Sequence, residues 1–325
     1  MAGRIPPPSV HCEGCGVVGG ACGVKCALCL PTLNAAATAH AFLAALNGQS
    51  FTGFERLIVD SSSTDGTPEL FAAAGFRVHT ISRPEFNHGA TRQLAVELCP
   101  DADIIIFMTQ DAILADPLSL QRLADCFDDP SVGAAYGRQL PAEDATPVAF
   151  HARLFNYPPI SRVVSREDIP QLGVKSAFLS NSFAAYRREA LQAVGGFPSE
   201  VIFGEDTWVA ARMLRAGWKI AYCVEAQVWH SHNYSMGEEF RRYFDIGVFH
   251  SRETWFLDAL GRAEGEGKKF VAAEIKYLSG TSPWYIPLAI FRTAMKFAGY
   301  RLGFLEKNLP AGVKKRLSLN RAFWR

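Results

Sequence analysis

Several hallmarks of other protein classes are missing from this chain of 325 residues. Basic and acidic residues nearly cancel, 33 against 32, so charge gives no argument for nucleic acid as the main partner. No stretch of about 18 apolar residues is free of charges, so we expect no membrane-spanning helix. The first ten residues are rich in proline and hold one arginine but no apolar core, so we expect no signal peptide. A phosphate-binding loop of the G-x-x-x-x-G-K-S/T type is also absent.

Cysteine is scarce outside the N-terminus: five of the eight cysteines fall within the first thirty residues. Cys12 and Cys15 form a C-x-x-C pair, and with Cys22 they admit a structural zinc site, although zinc ribbons need a second well-spaced pair. Cys26 and Cys29 lie inside a strand-like segment, so we interpret them as small apolar core residues. Nothing indicates a disulfide framework, which fits a reducing compartment.

Short strand-like segments alternate with helical segments from about residue 24 onwards. This alternation is typical of β-α-β units and predicts an α/β fold with a mostly parallel, Rossmann-like sheet flanked by helices. A hydrophobic content of 49% supports a sizeable core. Residues 139–174 break the pattern with five prolines, so we expect an irregular segment there. Loops of that length in compact domains are usually functional.

Two aspartates close strand-like runs. Asp60 follows residues 57–59, and Asp111 ends the most strand-like stretch of the chain, residues 104–111. In α/β sheets, ligands bind just outside the carboxyl ends of the parallel strands. A buried strand gains nothing from a terminal carboxylate unless a ligand uses its charge. These positions therefore indicate a polar site that is suited to a metal ion.

A second group of polar residues follows the irregular segment. Glu205 and Asp206 begin a helix, where the helix dipole alone would also favour acidic side chains. His230 and His232 follow the strand-like residues 227–229. Helix capping and a structural histidine are therefore the alternatives to catalytic and metal-binding roles at these positions.

The chain changes character beyond about residue 237, where helical periodicity and aromatic residues predominate. Residues 292–325 hold nine lysines or arginines and one glutamate, a net charge of +8. With the amphipathic residues 284–300, this charge suits peripheral contact with the inner face of the cytoplasmic membrane. A solvated basic tail packed on the main domain is the alternative. We expect three parts: a flexible Cys/Gly-rich leader (1–23), an α/β domain (24–236) and a helical basic extension (237–325).

Eight segments, taken in order, match the motifs of one enzyme family. They are PTLN (31–34), VDSSSTDGT (59–67), FNHGATR (86–92), FMTQDA (107–112), YGRQLP (136–141), FNYP (155–158), GEDTW (204–208) and HSHNYS (230–235). Together they resemble the inverting nucleotide-sugar glycosyltransferases of family 2, which have the GT-A fold. Within that family they are most similar to the bacterial rhamnosyltransferases.

The resemblance implies a nucleotide-sugar site and a metal site. Asp60 is similar to the carboxylate that accepts the imide N–H of uracil or thymine. Asp111 stands where the last aspartate of the family's D-x-D motif binds Mg²⁺ or Mn²⁺, whereas Thr109 replaces the first. His230 is similar to the histidine that completes this metal site, and motif position favours it over His232. The implied nucleotide-sugar contacts are Pro31, Thr32, Asn34, Asp60, Ser62, Arg92, Gln110 and Asp111.

The same resemblance implies a single displacement without an enzyme nucleophile. Asp206 is similar to the catalytic base, which takes the proton from the acceptor hydroxyl. We expect Glu205, Trp208, Asn181 and His232 on the acceptor side.

The implied reaction is transfer of L-rhamnose from dTDP-L-rhamnose to a cell-surface glycan or lipid-linked acceptor. Another family 2 transferase, using a UDP-sugar, is one alternative. A second is a nucleotide-sugar-binding regulatory protein without turnover, because Thr109 weakens the metal motif. A third, from the cysteine-rich leader, is a zinc-dependent interaction protein.

Overall fold

The computed structural model describes residues 24–261 and 265–324. The expected leader at residues 1–23 lies outside these ranges, and so does the zinc hypothesis for Cys12, Cys15 and Cys22. Cys26 and Cys29 lie inside them and are 6% and 0% exposed, which confirms their assignment to the core.

Nine strands form one sheet in the described part of the chain. They are β1 (Cys26–Thr32), β2 (Phe54–Asp60), β3 (Arg77–Thr80), β4 (Ile104–Met108), β5 (Ile113–Leu114), β6 (Val132–Leu140), β7 (Arg162–Val164), β8 (Phe183–Arg187) and β9 (Lys219–Trp229). Their order is β3-β2-β1-β4-β8-β6-β9-β5, with β7 also paired to β9. Four pairings are parallel and four are antiparallel. The predicted α/β fold is confirmed, with a mixed sheet because β5, β7 and β8 run against their neighbours.

Helices flank this sheet and build the C-terminal region. They are α1 (Ala36–Asn47), α2 (Thr67–Ala73), α3 (His88–Leu98), α4 (Ser119–Asp125), α5 (Pro147–Asn156), α6 (Ile169–Leu172), α7 (Arg188–Ala193), α8 (Glu205–Arg215), α9 (Met236–Arg252), α10 (Thr254–Leu260), α11 (Glu266–Thr281), α12 (Ile286–Phe304) and α13 (Ala311–Leu317).

Strand β4 shows why the core has two layers. All five of its residues are buried. Ile105 and Phe107 pack into the core on one face of the sheet, whereas Ile104, Ile106 and Met108 pack into the core on the other. Successive side chains of a strand point to opposite faces, so a strand that is covered on both sides reads as a continuous apolar run.

Two local predictions around this sheet are wrong. Strand β4 ends at Met108, so Asp111 lies in the turn that follows, where the N–H of Ala112 donates to the carbonyl of Thr109 at 3.1 Å. The segment 139–174, expected to be irregular, contains helix α5. Pro147 lies in the first turn of α5. Backbone N–H groups there have no partner within the helix, so proline costs no helical hydrogen bond.

Strand β9 is longer than the strand-like residues 227–229 indicate. It runs through residues 219–229 and keeps pairing with β6 across an irregularity, where Gly137 pairs with Cys223 and Arg138 with Gln227. The extra residues of β9 at this point form a bulge, which the sequence pattern shows as a gap between two strands.

Helices α9 and α12 pack against each other at very short range. Gly247 of α9 faces Gly303 of α12, and a Cβ added at Gly303 or Gly299 would overlap backbone atoms of Phe244 or Phe240. Glycine lets the two backbones approach this closely. Over the described ranges, none of the helices combines the length and apolar character that a membrane crossing needs.

Much of the basic charge in the C-terminal region faces carboxylates. Arg292 and Lys296 lie 2.8 and 3.3 Å from the carboxylate of Glu239. Lys314 lies 2.6 Å from Glu306, which is 2% exposed. These ion pairs lie within the extension, and the tail reaches the main domain where the Asn320 side chain donates to the carbonyl of Ile202 at 2.9 Å.

Candidate active site

The ends of β1 and β2 form the first half of the site. Thr32 and Asp60 are register partners, and the Thr32 hydroxyl donates to Oδ1 of Asp60 at 2.9 Å. The backbone N–H of Ser63 donates to Oδ2 at 2.8 Å, and its hydroxyl donates to Oδ1 at 2.6 Å. Asp60 is 0% exposed, so its carboxylate orders the loop that begins at Ser61.

The backbone adopts unusual conformations at this edge. Asn34 and Ser62 have φ values of +49° and +57°, in the left-handed region that non-glycine residues rarely occupy. Asn34 Oδ1 accepts the N–H of Thr64 at 3.0 Å, which ties the two loops together. Such conformations are typical of ligand-binding loops.

Gln110 connects this edge to β4. Its side-chain oxygen accepts the N–H of Leu33 at 2.8 Å, and its amide nitrogen donates to the Leu33 carbonyl at 3.1 Å. The amide is thus paired with backbone on both sides, and Gln110 positions the loop that follows Pro31.

Asp111, His230 and His232 form the second half of the site. Nε2 of His230 lies 3.5 Å from Oδ1 of Asp111, and Nδ1 of His232 lies 3.8 Å from Oδ2. One potential ligand atom from each residue lies within 4.8 Å of the other two. The structure therefore brings both histidines to Asp111, whereas motif position favoured His230 alone.

The His230 ring is oriented by a residue that the sequence analysis assigned no role. Nδ1 of His230 lies 2.9 Å from Oε1 of Gln139, and the Gln139 amide nitrogen donates to the Ser180 hydroxyl at 3.0 Å. Because Oε1 can only accept, Nδ1 carries a ring proton, and Nε2 is the ring nitrogen that faces Asp111. Such outer partners commonly fix the tautomer of a metal-binding histidine.

The electrostatics of this cluster favour metal-binding protonation states. Although burial raises the pKa of Asp111, interactions with His230, Thr109 and His232 hold it below its usual range. Burial and the neighbouring His230 lower the pKa of His232 to about 4, with smaller contributions from Arg153 and Arg242. At neutral pH the cluster thus presents a carboxylate and a neutral His232 imidazole.

The donor set fits a divalent cation. Nε2 of His230 is buried and makes no hydrogen bond within residues 24–261 and 265–324. A buried nitrogen without a partner is costly unless a ligand binds it. One carboxylate and two imidazoles thus offer three potential ligand atoms, although Thr109 stands at the first position of the D-x-D motif.

The acidic pair at the start of α8 forms the third part of the site. Asp206 accepts the N–H of Asn181 on Oδ2 at 3.1 Å and the N–H of Thr207 on Oδ1 at 2.7 Å. Glu205 faces Arg92 at 3.1 Å and accepts the Asn181 amide at 3.0 Å. Arg92, expected near the nucleotide, therefore lies beside the acidic pair, with its guanidinium engaged by Glu205.

The two carboxyl groups of this pair have opposite pKa shifts. Burial raises the pKa of Asp206 to about 6, and the negative charge of Glu205 adds to this effect. Burial is the largest effect on Glu205 and raises its pKa, but the Arg92 guanidinium, His88 and the hydrogen bond from Asn181 together lower it below its usual range. Glu205 thus stays ionised, and Asp206 titrates close to neutral pH, as a general base requires.

Asp206 lies in the wall of a cavity of about 640 Å³. Asn181, Glu205 and His232, expected on the acceptor side, line the same cavity. Trp208 does not: its indole N–H donates to Glu253 at 2.9 Å, against helix α10. The Trp208 indole thus packs against α10 and not into this cavity.

Three further residues of this cavity escaped the sequence analysis. Gln139 was part of a matching segment, but its contact with His230 depends on strand pairing. Arg153 on α5 and Arg242 on α9 also line the cavity, and their helical positions carry no distinguishing signal.

A mixed sheet of this topology, with a carboxylate–histidine cluster and an acidic pair at one edge, defines a glycosyltransferase of the GT-A type. The family model described as "Glycosyl transferase family 2" matches residues 27–195. The chain is 45% identical over 302 residues to the O-antigen chain rhamnosyltransferase RfbN of Salmonella typhimurium, covering 93% of this chain and 96% of that protein. It is 44% identical to the O-antigen chain rhamnosyltransferase WbaN of Salmonella anatum, with 91% and 95% covered. The chain therefore belongs to glycosyl transferase family 2.

Solved structures share the fold at lower identity. The mannosyltransferase PcManGT from Pyrobaculum calidifontis, in complex with GDP-Man and Mn²⁺, has a TM-score of 0.54 and 19% identity, covering 92% of this chain and 85% of that one. TarS 1-349 of S. aureus, in complex with UDP-GlcNAc, has a TM-score of 0.51 and 15% identity, with 87% and 91% covered. These similarities support the GT-A fold.

Proposed function

We propose that this protein transfers L-rhamnose from dTDP-L-rhamnose to a hydroxyl of a cell-surface glycan, with inversion at the anomeric carbon. The observation that carries the proposal is the Asp206 carboxylate, which shares a cavity with His230 and His232. The 45% identity to an O-antigen chain rhamnosyltransferase over 93% of the chain supports rhamnose as the transferred sugar.

Asp206 acts as the general base in this proposal. Its ionised carboxylate takes the proton of the acceptor hydroxyl while the acceptor oxygen bonds to the anomeric carbon. The bond between that carbon and the diphosphate oxygen breaks, and the electron pair leaves with the nucleoside diphosphate. The N–H groups of Asn181 and Thr207 hold the carboxylate in place during this displacement.

The nucleoside binds at the ends of β1 and β2. Thr32, Asn34 and Ser62 lie at this edge, next to Asp60. Oδ2 of Asp60 accepts one hydrogen bond from Ser63 and has a second acceptor position for the imide N–H of the base. Because Asp60 is fully buried, the loop at residues 61–65 must move for that contact to form.

Asp111, His230 and His232 would hold Mg²⁺ or Mn²⁺. When bound, the ion supplies positive charge that stabilises the diphosphate as it leaves. Carboxylate and imidazole ligands are compatible with these ions, and Nε2 of His230 faces Asp111 without a hydrogen bond, so it is available as a ligand atom.

The enzyme works at the inner face of the cytoplasmic membrane in this proposal, where a lipid-linked acceptor is presented. Trp284, Phe291 and Phe297 are 72%, 54% and 66% exposed, so α12 and the turn before it present large apolar side chains to solvent, and several basic residues at 301–316 are exposed as well. The domain at residues 24–236 then carries the chemistry, and the extension at residues 237–325 carries the membrane contact and one wall of the cavity.

A panel of dTDP-, UDP- and GDP-sugars tests the proposal. The purified protein is incubated with each donor and Mn²⁺, with and without a glycan-lipid extract, and released nucleoside diphosphate is measured. We expect release to be fastest with dTDP-L-rhamnose and to increase with the extract. Faster release with a UDP-sugar would show that the donor is not dTDP-L-rhamnose. Tight binding of a nucleotide sugar without release of nucleoside diphosphate would favour the regulatory alternative.

A further inference from the structure

The cavity next to Asp206 continues well beyond the reacting groups. One part of its wall comes from helix α5, and another comes from α9 and α12 of the C-terminal extension. None of the nucleotide-side residues at 31–34 and 60–63 lines it. The cavity thus joins the proposed metal ligands His230 and His232 to a part lined by α5, α9 and α12, in which an acceptor can bind.

The cavity wall has an excess of positive charge. Arg92 is paired with Glu205, while Arg292 and Lys296 share the carboxylate of Glu239. Apart from Asp206, every carboxylate in the cavity wall is thus already paired with one of these basic side chains. Two guanidinium groups, those of Arg153 and Arg242, are left over.

Arg153 and Arg242 have no carboxylate within ion-pair distance and no side-chain hydrogen bond in residues 24–261 and 265–324. Aromatic rings hold them instead. The Arg242 guanidinium lies 4.7 Å from the ring centre of Phe203 and 5.7 Å from that of Tyr234, and Arg153 lies 5.9 Å from Tyr157. Stacking on a ring fixes a guanidinium without neutralising its charge, and its N–H groups remain free.

The two guanidinium groups line one cavity and act on each other. Burial lowers the pKa of Arg153, and the charge of Arg242 lowers it further. Two cations held together in a partly buried wall repel each other, and an anion bound between them removes that penalty.

We propose that Arg153 and Arg242 form a subsite for a phosphate or diphosphate group carried by the acceptor. This inference rests on the proposed function, because it assumes that Asp206 activates an acceptor hydroxyl. Two guanidinium groups present planar pairs of N–H donors, which match phosphate oxygens in bidentate fashion. Binding that group would hold the acceptor with its sugar directed toward Asp206. Arg242 belongs to α9, so the extension contributes directly to acceptor recognition.

Binding of inorganic pyrophosphate, measured by calorimetry in the presence of a chelator, tests the subsite without any sugar transfer. We expect Arg153→Gln and Arg242→Gln to weaken binding about tenfold or more, the size expected when a charge-assisted hydrogen bond is lost. Arg242→Lys keeps the charge but loses the planar pair of N–H donors, so its pyrophosphate affinity should lie between those of the wild type and Arg242→Gln. Arg241→Gln is the matched control, because Arg241 is the neighbour of Arg242 on α9 and does not line the cavity.

A second measurement separates the acceptor from the donor. The affinity for dTDP with Mn²⁺ should stay within about twofold in Arg153→Gln and Arg242→Gln, since the proposed donor contacts are those of Asp60 and of the metal ligands rather than of these arginines. An equal loss of dTDP affinity would assign the arginines to the donor diphosphate and overturn the proposal. Unchanged pyrophosphate binding in variants with wild-type melting temperatures would also overturn it. If the protein transfers no sugar at all, the proposed function fails, but the pyrophosphate result still decides whether the subsite exists.

Discussion

Nε2 of His230 lies 3.5 Å from Oδ1 of Asp111, although the two residues are far apart in the sequence. The short antiparallel pairing of β5 and β9 brings them together. Ile113 of β5 pairs with Trp229 of β9, so the turn before β5 meets the residues that follow β9. A pairing of two residues on each strand therefore assembles the metal cluster.

The substitution Asp206→Asn should abolish most of the turnover. Asparagine has the same size but cannot take the acceptor proton, and loss of a general base typically costs about 10²–10⁴-fold in rate. The dTDP affinity should be nearly kept, because Asp206 does not touch the nucleotide side. Steady-state kinetics and dTDP titration measure both, with exposed Asp101→Asn as the control. Turnover within a few-fold of wild type would remove Asp206 from this role.

The rate should also depend on pH in a way that identifies Asp206. The base works in its ionised form, and its pKa is raised to about 6 by burial and by Glu205. As pH falls below about 6, Asp206 becomes protonated and kcat/KM should fall about tenfold per pH unit. A pH profile with its acidic limb at the ordinary carboxyl value, near 4, would contradict the shifted pKa.

Metal binding should depend on Asp111 and, through the tautomer of His230, on Gln139. Asp111→Ala removes a ligand and should raise the metal concentration that activity needs. Gln139→Leu keeps the ligands but leaves the His230 ring without its orienting acceptor, so we expect an affinity for Mn²⁺ that is about 10–100-fold weaker. Calorimetric Mn²⁺ titration measures this, with Gln121→Leu on α4 as the control.

Activity should vanish with a chelator and return with Mg²⁺ or Mn²⁺. Full activity in excess chelator would instead indicate a metal-independent transferase, in which arginine or lysine side chains stabilise the diphosphate.

Gly303→Ala should destabilise the C-terminal helices. The added Cβ would overlap the carbonyl of Phe244 on α9, and overpacking of this kind typically costs about 1–3 kcal/mol. Gly280→Ala on α11 is the matched control, since nothing lies within 4 Å of its Cβ position. Denaturant unfolding should show a lower free energy of unfolding for the first variant only. Equal stability of the two variants would mean that the helices are not packed this closely.

The apolar surface of α12 and its neighbour Trp284 should bind anionic membranes. The triple substitution of Trp284, Phe291 and Phe297 by serine should reduce sedimentation with anionic vesicles, because it removes the exposed apolar contacts. Ile160→Ser is the control, since Ile160 is 72% exposed but lies far from this surface in the sequence. Raised salt should weaken wild-type binding, because about 1 kcal/mol per basic residue is electrostatic. Equal binding to neutral vesicles, or no loss in the triple variant, would return the tail to a structural role.

Much of the fold could be predicted because its signals are local. The apolar run at residues 104–108 and the acidic start of α8 both follow from their own neighbourhoods in the chain. Predictions failed where a contact between distant segments changed the outcome. The direction of β8 was one such case, because an antiparallel strand and a parallel strand have the same side-chain period. Helix α5 was another, since the prolines at residues 141–170 hid a helix that begins at Pro147.

The candidate site divides in the same way. Asp60, Asp111 and Asp206 could be found from the sequence, since each follows or begins a regular element and its motif is contiguous. Gln139 and Arg242 could not, because their roles depend on a side chain from another element.

The sequence by itself determined the α/β class, the family motifs and the acidic residues of the site, since periodicity and contiguous motifs are properties of neighbouring residues. Only the tertiary structure decided that both His230 and His232 face Asp111, that Arg92 is committed to Glu205, and that Trp208 points away. These outcomes follow from strand pairing and helix packing between residues distant in the chain. A sequence pattern indicates which faces of helices and strands are apolar, but it does not indicate which of these faces pack against each other.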